Sequence, residues 1–487
     1  MKNNSSHLSP LTSHLSPLTS HLSPLTSHLS PLTSHLSRLA SHQGLRRYGA
    51  NTTWLFAEQI LRMIAGFLVG VWVARYLGPE KFGIFSYSLA FVSLFGGIAK
   101  LGLDGIVVRD LVKEMEKKEI YLGTSFWLKL IGGIITLLII IITLLFQSIL
   151  TSHLSPLTSY LSLLTSHLLT STNLYILIIA FGIIFQSFEV IDFYYQATVQ
   201  AKYISIRKMI QLFLSSVIKI ILVLIKANLI WFVLVTLFDA ISLAIFSWWI
   251  YKSQALPNFI KYFKWNIAKR LLKDSWLLLL SSIAISIYMR IDQVMIKNML
   301  GDREVGLYSA TMRLVEVWYF IPMIITQSVF PAIVSAKKVS EELYYKRLQQ
   351  LFSLLIWTAI LIAIPISVFS HQIIYLFYGE RFMEASKVLV ISVWASSFVF
   401  IGVGSGNFFL VENLQNFSFW RTFYGMIVNI ILNFILIPSH GIQGAAIATL
   451  ISQATAAYLF DIFNKETKKI FFMKTYALIP FRSYKCF

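Results

Sequence analysis

Apolar runs of about the length that crosses a bilayer, ~20 residues, dominate this sequence. They fall near 54–76, 83–106, 124–148, 174–196, 204–226, 229–251, 275–299, 306–333, 348–370, 386–410, 418–437 and 441–463. Lys100 and Asp104 interrupt the second. So many apolar segments do not fit one water-soluble core. Helices in lipid solve the problem, because each satisfies its own backbone hydrogen bonds. Composition agrees: charged residues make up 13% of the chain and hydrophobic residues 56%, about half the charged share of a soluble domain. The expected fold is all-α and integral to the membrane, with about twelve transmembrane helices. The single cysteine, Cys486, excludes an intramolecular disulfide and a multi-cysteine zinc site. No cofactor or metal is expected, and no cleavable signal peptide is evident.

The formal charge is +19. In a soluble protein this would point to nucleic acid. Here the cations gather in short loops between apolar runs, so they report topology, and no nucleic-acid partner is expected. With the N-terminus placed in the cytoplasm, inner segments hold Arg109, Lys113, Lys117 and Lys118, and then Lys261, Lys264, Lys269, Arg270 and Lys273. The outer loop at 149–173 and the turn near 438–441 hold no Lys or Arg. An even number of spans leaves both termini cytoplasmic.

Two kinds of repeat divide the chain. Ser-His-Leu-Ser-Pro-Leu-Thr recurs from Ser6 to Thr33 and returns at Ser152–Thr158. Its period of seven does not make a coiled coil, because Pro10, Pro17, Pro24 and Pro31 would break a helix every two turns. Disorder is expected there. The second repeat lies within the spans. Leu77-Gly78-Pro79-Glu80-Lys81-Phe82-Gly83-Ile84-Phe85-Ser86 matches Leu300-Gly301-Asp302-Arg303-Glu304-Val305-Gly306-Leu307-Tyr308-Ser309 at an offset of 301 − 78 = 223. Each copy follows the first span of a group of six. The expected organisation is a leader at 1–45, a six-helix lobe at 46–251 with a repeat insertion at 152–172, an interfacial linker at 252–274 around Trp265, a second six-helix lobe at 275–465 and a cytoplasmic tail at 466–487. Two related lobes around a central cavity are a transporter architecture that works by rocking one lobe against the other.

The stretch Arg75–Tyr87 resembles the first outer turn of the Wzx-type polysaccharide-biosynthesis flippases. Arg290-Ile291-Asp292-Gln293-Val294-Met295-Ile296 with Gly306-Leu307-Tyr308-Ser309 resembles their seventh span and the following turn. Asn429–Phe434, Ile437-Pro438 and Gly441–Ala446 resemble their last hairpin. The resemblance covers about 46–465. It implies a member of the multidrug/oligosaccharidyl-lipid/polysaccharide superfamily in the bacterial inner membrane. Such a protein moves an undecaprenyl-pyrophosphate-linked oligosaccharide between leaflets and breaks no covalent bond. Its partners would be that lipid-linked oligosaccharide and membrane lipids, with other polysaccharide-assembly membrane proteins as further candidates.

Ionisable residues inside spans are costly and mark function by default. Arginine suits phosphate because its planar fork donates two hydrogen bonds at once. Arg62, Lys219, Arg290 and Arg313 are therefore the expected pyrophosphate ligands, and Asp239, Asp292 and Glu58 the candidates for a coupling proton or sodium ion. The plainer alternative is mutual neutralisation, as in Glu58–Arg62 and Arg313–Glu316, which share helical faces. Glu189 and Asp192 also share a face. Gly66–Gly70 is a small-xxx-small match that ordinarily serves packing. Pro322 and Pro365 are expected kinks. Three other functions were weighed. A membrane glycosyltransferase or polymerase would need a large outer loop bearing arginines, and the longest one has none. A drug/cation antiporter on the same fold would favour acids in its cavity. A lipid II flippase would carry extra spans.

Overall fold

The computed structural model describes residues 42–152 and 171–479, and its regular elements there are all helices. The repeats at 6–33 and most of the insertion at 152–172, expected to be disordered, lie outside these residues. The first helix, α1 (His42–Leu94), starts well before Trp54 and breaks at Gly78 (φ 72°, ψ 171°). Glycine reaches that backbone without a Cβ penalty, and Pro79 begins the second arm where its missing N–H costs nothing. The short α2 (Gly96–Lys100) ends in a left-handed turn at Leu101 and Gly102, and α3 (Asp104–Lys113) follows. The expected run 83–106 is therefore cut at Leu101–Gly102, beside the two charges that interrupt it in sequence.

The rest of the N-terminal half comprises α4 (Lys118–Ser152), α5 (Ser171–Phe181), a 3-10 segment (Gly182–Glu189), α6 (Val190–Ala197), α7 (Ala201–Leu224) and α8 (Leu229–Ser253). The linker carries no helix beyond a short 3-10 turn until Trp265, which opens α9 (Trp265–Leu300). Then come α10 (Asp302–Glu316), α11 (Phe320–Val339), α12 (Glu341–Val368), α13 (Ser370–Tyr378), α14 (Ala385–Val411), α15 (Gln415–Ala457, broken at Gly441) and α16 (Lys465–Ala477). A 3-10 turn at Val317–Tyr319 separates α10 from α11, so Pro322 lies in a first helical turn. Among the described residues nine helices are long and apolar enough to cross a membrane. Two of the nine hold the breaks at Gly78 and Gly441. The 24-residue α7 falls outside the nine; it carries Lys202, Arg207, Lys208 and Lys219.

The two copies of the glycine repeat meet face to face. A Cβ on Gly83 would stand 1.7 Å from the Asp302 carbonyl oxygen, and a Cβ on Gly306 would stand 1.9 Å from the Pro79 carbonyl oxygen. The relation is reciprocal: each glycine abuts the carbonyl four residues before the other. Small residues let membrane helices approach this closely. Phe82 packs edge-on to Phe382, and Phe67 to Phe377, around the same crossing. We call this the glycine end.

The lobes relate differently at the two ends. At the glycine end they share one apolar core, in which Leu77 and Phe82 join Leu307, Phe382 and Ile437. At the opposite, basic end each lobe has its own core. Leu103, Tyr121, Tyr195 and Tyr251 lie in the first; Tyr344, Phe352, Phe400 and Met473 lie in the second. The base of α9 belongs to the N-terminal core through Ala268 and Leu271. Arg109 fastens it there through Asp274 (2.8 Å), and Gly97 and Gly102 press on its backbone at 282–283 and 278–279. The stretch after 465 forms α16, held by the wholly buried Lys474, which donates to Asp461 (2.5 Å) and to the Ala457 carbonyl (2.7 Å). Burial pushes the Lys474 ammonium down to about 8 against the pull of Asp461.

Gly83→Ala and Gly306→Ala are each expected to lower the thermal midpoint of detergent-purified protein, since overpacking a tight crossing costs about 1–3 kcal/mol. Gly66→Ala, whose Cβ would meet nothing within 4 Å, is expected to leave the midpoint unchanged or slightly raised. Equal effects at the three positions would contradict the crossing.

Candidate functional site

Separate cores at the basic end leave room for two adjoining chambers, the smaller between the lobes and the larger almost wholly within the N-terminal one. The smaller, about 260 Å³, lies next to the glycine end. Three helix faces line it: Ser86, Leu89, Ala90 and Ser93 from α1, Arg290 and Gln293 from α9, and Ser309, Met312, Arg313 and Glu316 from α10. Each set follows the i, i+3, i+4, i+7 spacing of one helical stripe. The larger, about 780 Å³, extends toward the basic end and shares Leu89 and Ser93 with the first. Its wall is mostly N-terminal lobe, with Ser286 of α9 opposite.

In the small chamber Arg290 grips Glu316 as a fork, with Nη1–Oε1 at 3.1 Å and Nη2–Oε2 at 3.5 Å. Arg313 and Glu316, expected to pair along one helix, do not. The Arg313 guanidinium lies over the Phe82 ring at 4.7 Å. Among the described residues it has no carboxylate within ion-pair distance. Gly70 makes room for it: a Cβ there would stand 2.7 Å from Arg313 Nη1. Of the Gly66–Gly70 pair, then, Gly70 accommodates a cation and Gly66 faces open space. Two guanidiniums against one carboxylate leave this chamber positive.

The large chamber holds more charge in closer balance. Glu189 accepts from Lys129 (2.8 Å), whose other carboxylate neighbour is Asp104 at 3.8 Å. Asp192 binds Arg207 at 2.7 Å. Asp239 accepts from Lys219 (3.1 Å), Ser215 (2.9 Å) and Gln211 (2.8 Å). Glu189 and Asp192 share the face their spacing implied and line the chamber.

The four expected phosphate ligands do not form one cluster. Arg290 and Arg313 come together. Lys219 stands at the edge of the other chamber, held by Asp239 and Ser215. Arg62 pairs with Glu58 (3.0 Å) and donates to Gln59 (2.8 Å) on an exposed face of α1, and it lines neither chamber. Asp292 parts from Arg290, two residues earlier on the same helix, because that spacing turns it away from the cavity. It is buried in the C-terminal lobe and accepts from Tyr308 (2.7 Å), Thr449 (2.6 Å) and Asn433 (2.6 Å). Asn433 also donates to Asn429 (3.1 Å), and its own carbonyl oxygen has no partner. The cluster is rich in oxygen, and no cation pairs with Asp292 among the described residues.

Lys129 was missed from sequence although it stands inside an apolar run, which is signal enough. Arg207 counted only as a loop cation. Its carboxylate partner, Asp192, precedes it by a turn and the start of α7, a separation that local periodicity does not resolve.

The Lys129–Glu189 pair is asymmetric, with side-chain exposures of 1% and 44%. Glu189→Ala leaves a buried ammonium with only the more distant Asp104, whereas Lys129→Met leaves a carboxylate that water reaches. Breaking a buried pair on the wrong side costs about 3–5 kcal/mol, so Glu189→Ala is expected to lower the thermal midpoint more than Lys129→Met. The reverse order would contradict the assigned burial.

The family model described as "Polysaccharide biosynthesis protein" matches residues 48–337, more than half of the chain, and the model described as "MatE" matches 278–435. A curated relative, "Probable low-salt glycan biosynthesis flippase Agl15" of Haloferax volcanii, is 29% identical over 196 residues, which is 39% of this chain and 41% of that protein. Among solved structures, an inward-facing multidrug resistance MATE family transporter of the MOP superfamily aligns with a TM-score of 0.67 at 15% identity, over 85% of this chain and 95% of its own. Lipid II flippase MurJ in an inward closed conformation aligns with a TM-score of 0.61 at 18% identity, over 87% and 90%. At these identities the structural likenesses show the fold, two helical lobes facing each other. The chain belongs to the polysaccharide biosynthesis protein family.

Proposed function

We propose that the protein carries a lipid-linked oligosaccharide across the membrane by alternating access, and that the small chamber receives the pyrophosphate. The observation that supports this most is the uncompensated guanidinium of Arg313 beside the Arg290–Glu316 fork. Arg313 offers a dianion a planar donor set, beside an Arg290 whose fork is engaged by Glu316. The lipid tail stays in the bilayer while the head group travels between the lobes. The two-lobe fold, the family and the flippase relative all accord with this task.

The finer reading assigns the basic end to the cytoplasm, twelve crossings to the chain and the bacterial inner membrane as its site. The cargo would be an undecaprenyl-pyrophosphate-linked repeat unit for O-antigen, capsule or exopolysaccharide. The lobes would follow the boundaries 46–251 and 275–465. Coupling would reside at Asp292, where a proton or a sodium ion can balance a buried carboxylate that no side-chain cation pairs with. Asp292 and Arg290 share α9, so a change of charge at one shifts the helix that carries the other. Asp239 and Glu58 are weaker candidates, since Lys219 and Arg62 already pair with them. A drug/cation antiporter is favoured only by the carboxylates of the large chamber, and Lys129, Arg207 and Lys219 pair with three of them.

In a flippase-null strain complemented with this chain, Arg290→Ala and Arg313→Ala are expected to abolish or strongly reduce polysaccharide export at unchanged protein levels. Normal export by both variants would refute the anion chamber. Asp292→Asn is expected to remove the dependence of transport in proteoliposomes on an imposed proton or sodium gradient, and a retained dependence would place coupling elsewhere.

A further inference from the structure

The large chamber is built unlike the small one, and nothing above gives it a ligand. Its central wall is the 3-10 segment at Gly182–Glu189, inserted between α5 and α6 in the middle of a membrane helix. Eight residues of 3-10 helix are uncommon, and such stretches often mark function. With three residues per turn, side chains at i and i+3 eclipse. Gln186 therefore stands over Glu189 and Phe185 over Phe188, and all four line the chamber. About two turns further, near the end of α6, Gln196 lines it as well.

The polar groups here are of a particular kind. The side-chain amides of Gln186 and Gln196 make no hydrogen bond to the described residues. Gln211 uses its amino group on Asp239 and keeps its carbonyl oxygen open. Lys100, Arg207 and Lys208 line the chamber with Asp104, Glu189, Asp192 and Asp239, and Lys129 and Lys219 pair with Glu189 and Asp239 from outside the lining, so cations and carboxylates come close to balance. Arg207 and Lys208 serve Asp192, and Lys100 is the lining cation with no carboxylate within ion-pair distance among the described residues. A primary amide both donates and accepts in one plane, which is what a sugar hydroxyl requires, and the negative face of an aromatic ring receives the C–H face of a pyranose. The volume, about 780 Å³, lies within the ~300–1,000 Å³ of ordinary ligand pockets.

We propose that this chamber is the glycan subsite, in which Gln186, Gln196 and Gln211 hydrogen-bond the neutral sugars nearest the lipid and Phe185 and Phe188 pack against them. The inference rests on the lipid-linked oligosaccharide reading. It adds a division of labour: charge is read in the small chamber and sugar in the large one, with Leu89 and Ser93 at their junction. Sugar selectivity then belongs to the amides of the 3-10 wall, and the arginines recognise a group common to every such lipid.

The test measures binding to the full-length protein in nanodiscs, using a polyprenyl pyrophosphate without sugar and the same lipid carrying a neutral disaccharide. The wild type is expected to prefer the glycosylated lipid. In Gln186→Leu that preference is expected to fall about tenfold, as loss of a hydrogen-bonding amide would produce. Gln196→Ala, an exposed position that tolerates truncation, is expected to reduce it in the same direction. Arg313→Ala should weaken both lipids alike and keep the ratio. An undiminished preference in both glutamine variants overturns the subsite, as does an equal loss of affinity for the two lipids. Wild-type protein that binds neither lipid overturns the flippase reading and the subsite with it. Arg313→Ala that alters neither affinity, while the glutamine variants lose preference, overturns the anion chamber alone.

Discussion

The structure depends on one backbone contact, the crossing of Gly83 with Gly306. Two helices approach there until a single methyl group on either would collide with a carbonyl oxygen. That approach lets the lobes share a core at one end. At the other end the described residues form two separate cores, and the base of α9 stays with the N-terminal lobe through Arg109–Asp274, Gly97 and Gly102. The wedge-shaped space between is a consequence of geometry. A pair of lobes clamped at one end and parted at the other must enclose a cavity that opens one way.

Electrostatics then decides what the space can hold. In a low-dielectric setting a charge must be paired or solvated. Most intramembrane charges here are paired: Lys129 with Glu189, Arg207 with Asp192, Lys219 with Asp239, Arg62 with Glu58. Among the described residues Lys100 and Arg421, the latter over the Phe409 ring, have no carboxylate within ion-pair distance, and two further charges depart from the pattern. Arg313 rests on an aromatic face in the small chamber, and Asp292 is buried among neutral donors. One suits an anion and the other suits a cation or proton. They lie on adjacent helices, α10 and α9, so the proposed anion site and the proposed coupling site are mechanically close.

Much of this was legible in the sequence. The apolar runs located the helices, and the glycine repeat marked the turns after the first and seventh. That the two copies touch was not legible, because a shared local motif says nothing about which surfaces face each other. Arg290 and Asp292 sit in one span and carry different expected roles. Only their separation by two residues, over half a helical turn, hinted that they face different ways. Arg62 looked like a cavity residue from charge alone, and it proved to be an i, i+4 partner of Glu58 on an exposed face. The amides Gln186 and Gln196 were passed over, since uncharged residues in an apolar run carry no alarm. What distinguishes them is the 3-10 backbone that presents them, and no residue pattern announces it.

The central claim is that the space between the lobes carries a pyrophosphate-linked glycan from one leaflet to the other. The direct measurement is translocation in proteoliposomes of a polyprenyl-pyrophosphate disaccharide, followed by its exposure to a membrane-impermeant glycosidase. The account expects wild-type protein to expose the lipid initially confined to the inner leaflet, and the Arg290→Ala/Arg313→Ala double variant to leave it protected. Equal exposure with both proteins, or none with the wild type under an imposed ion gradient of either kind, would contradict it.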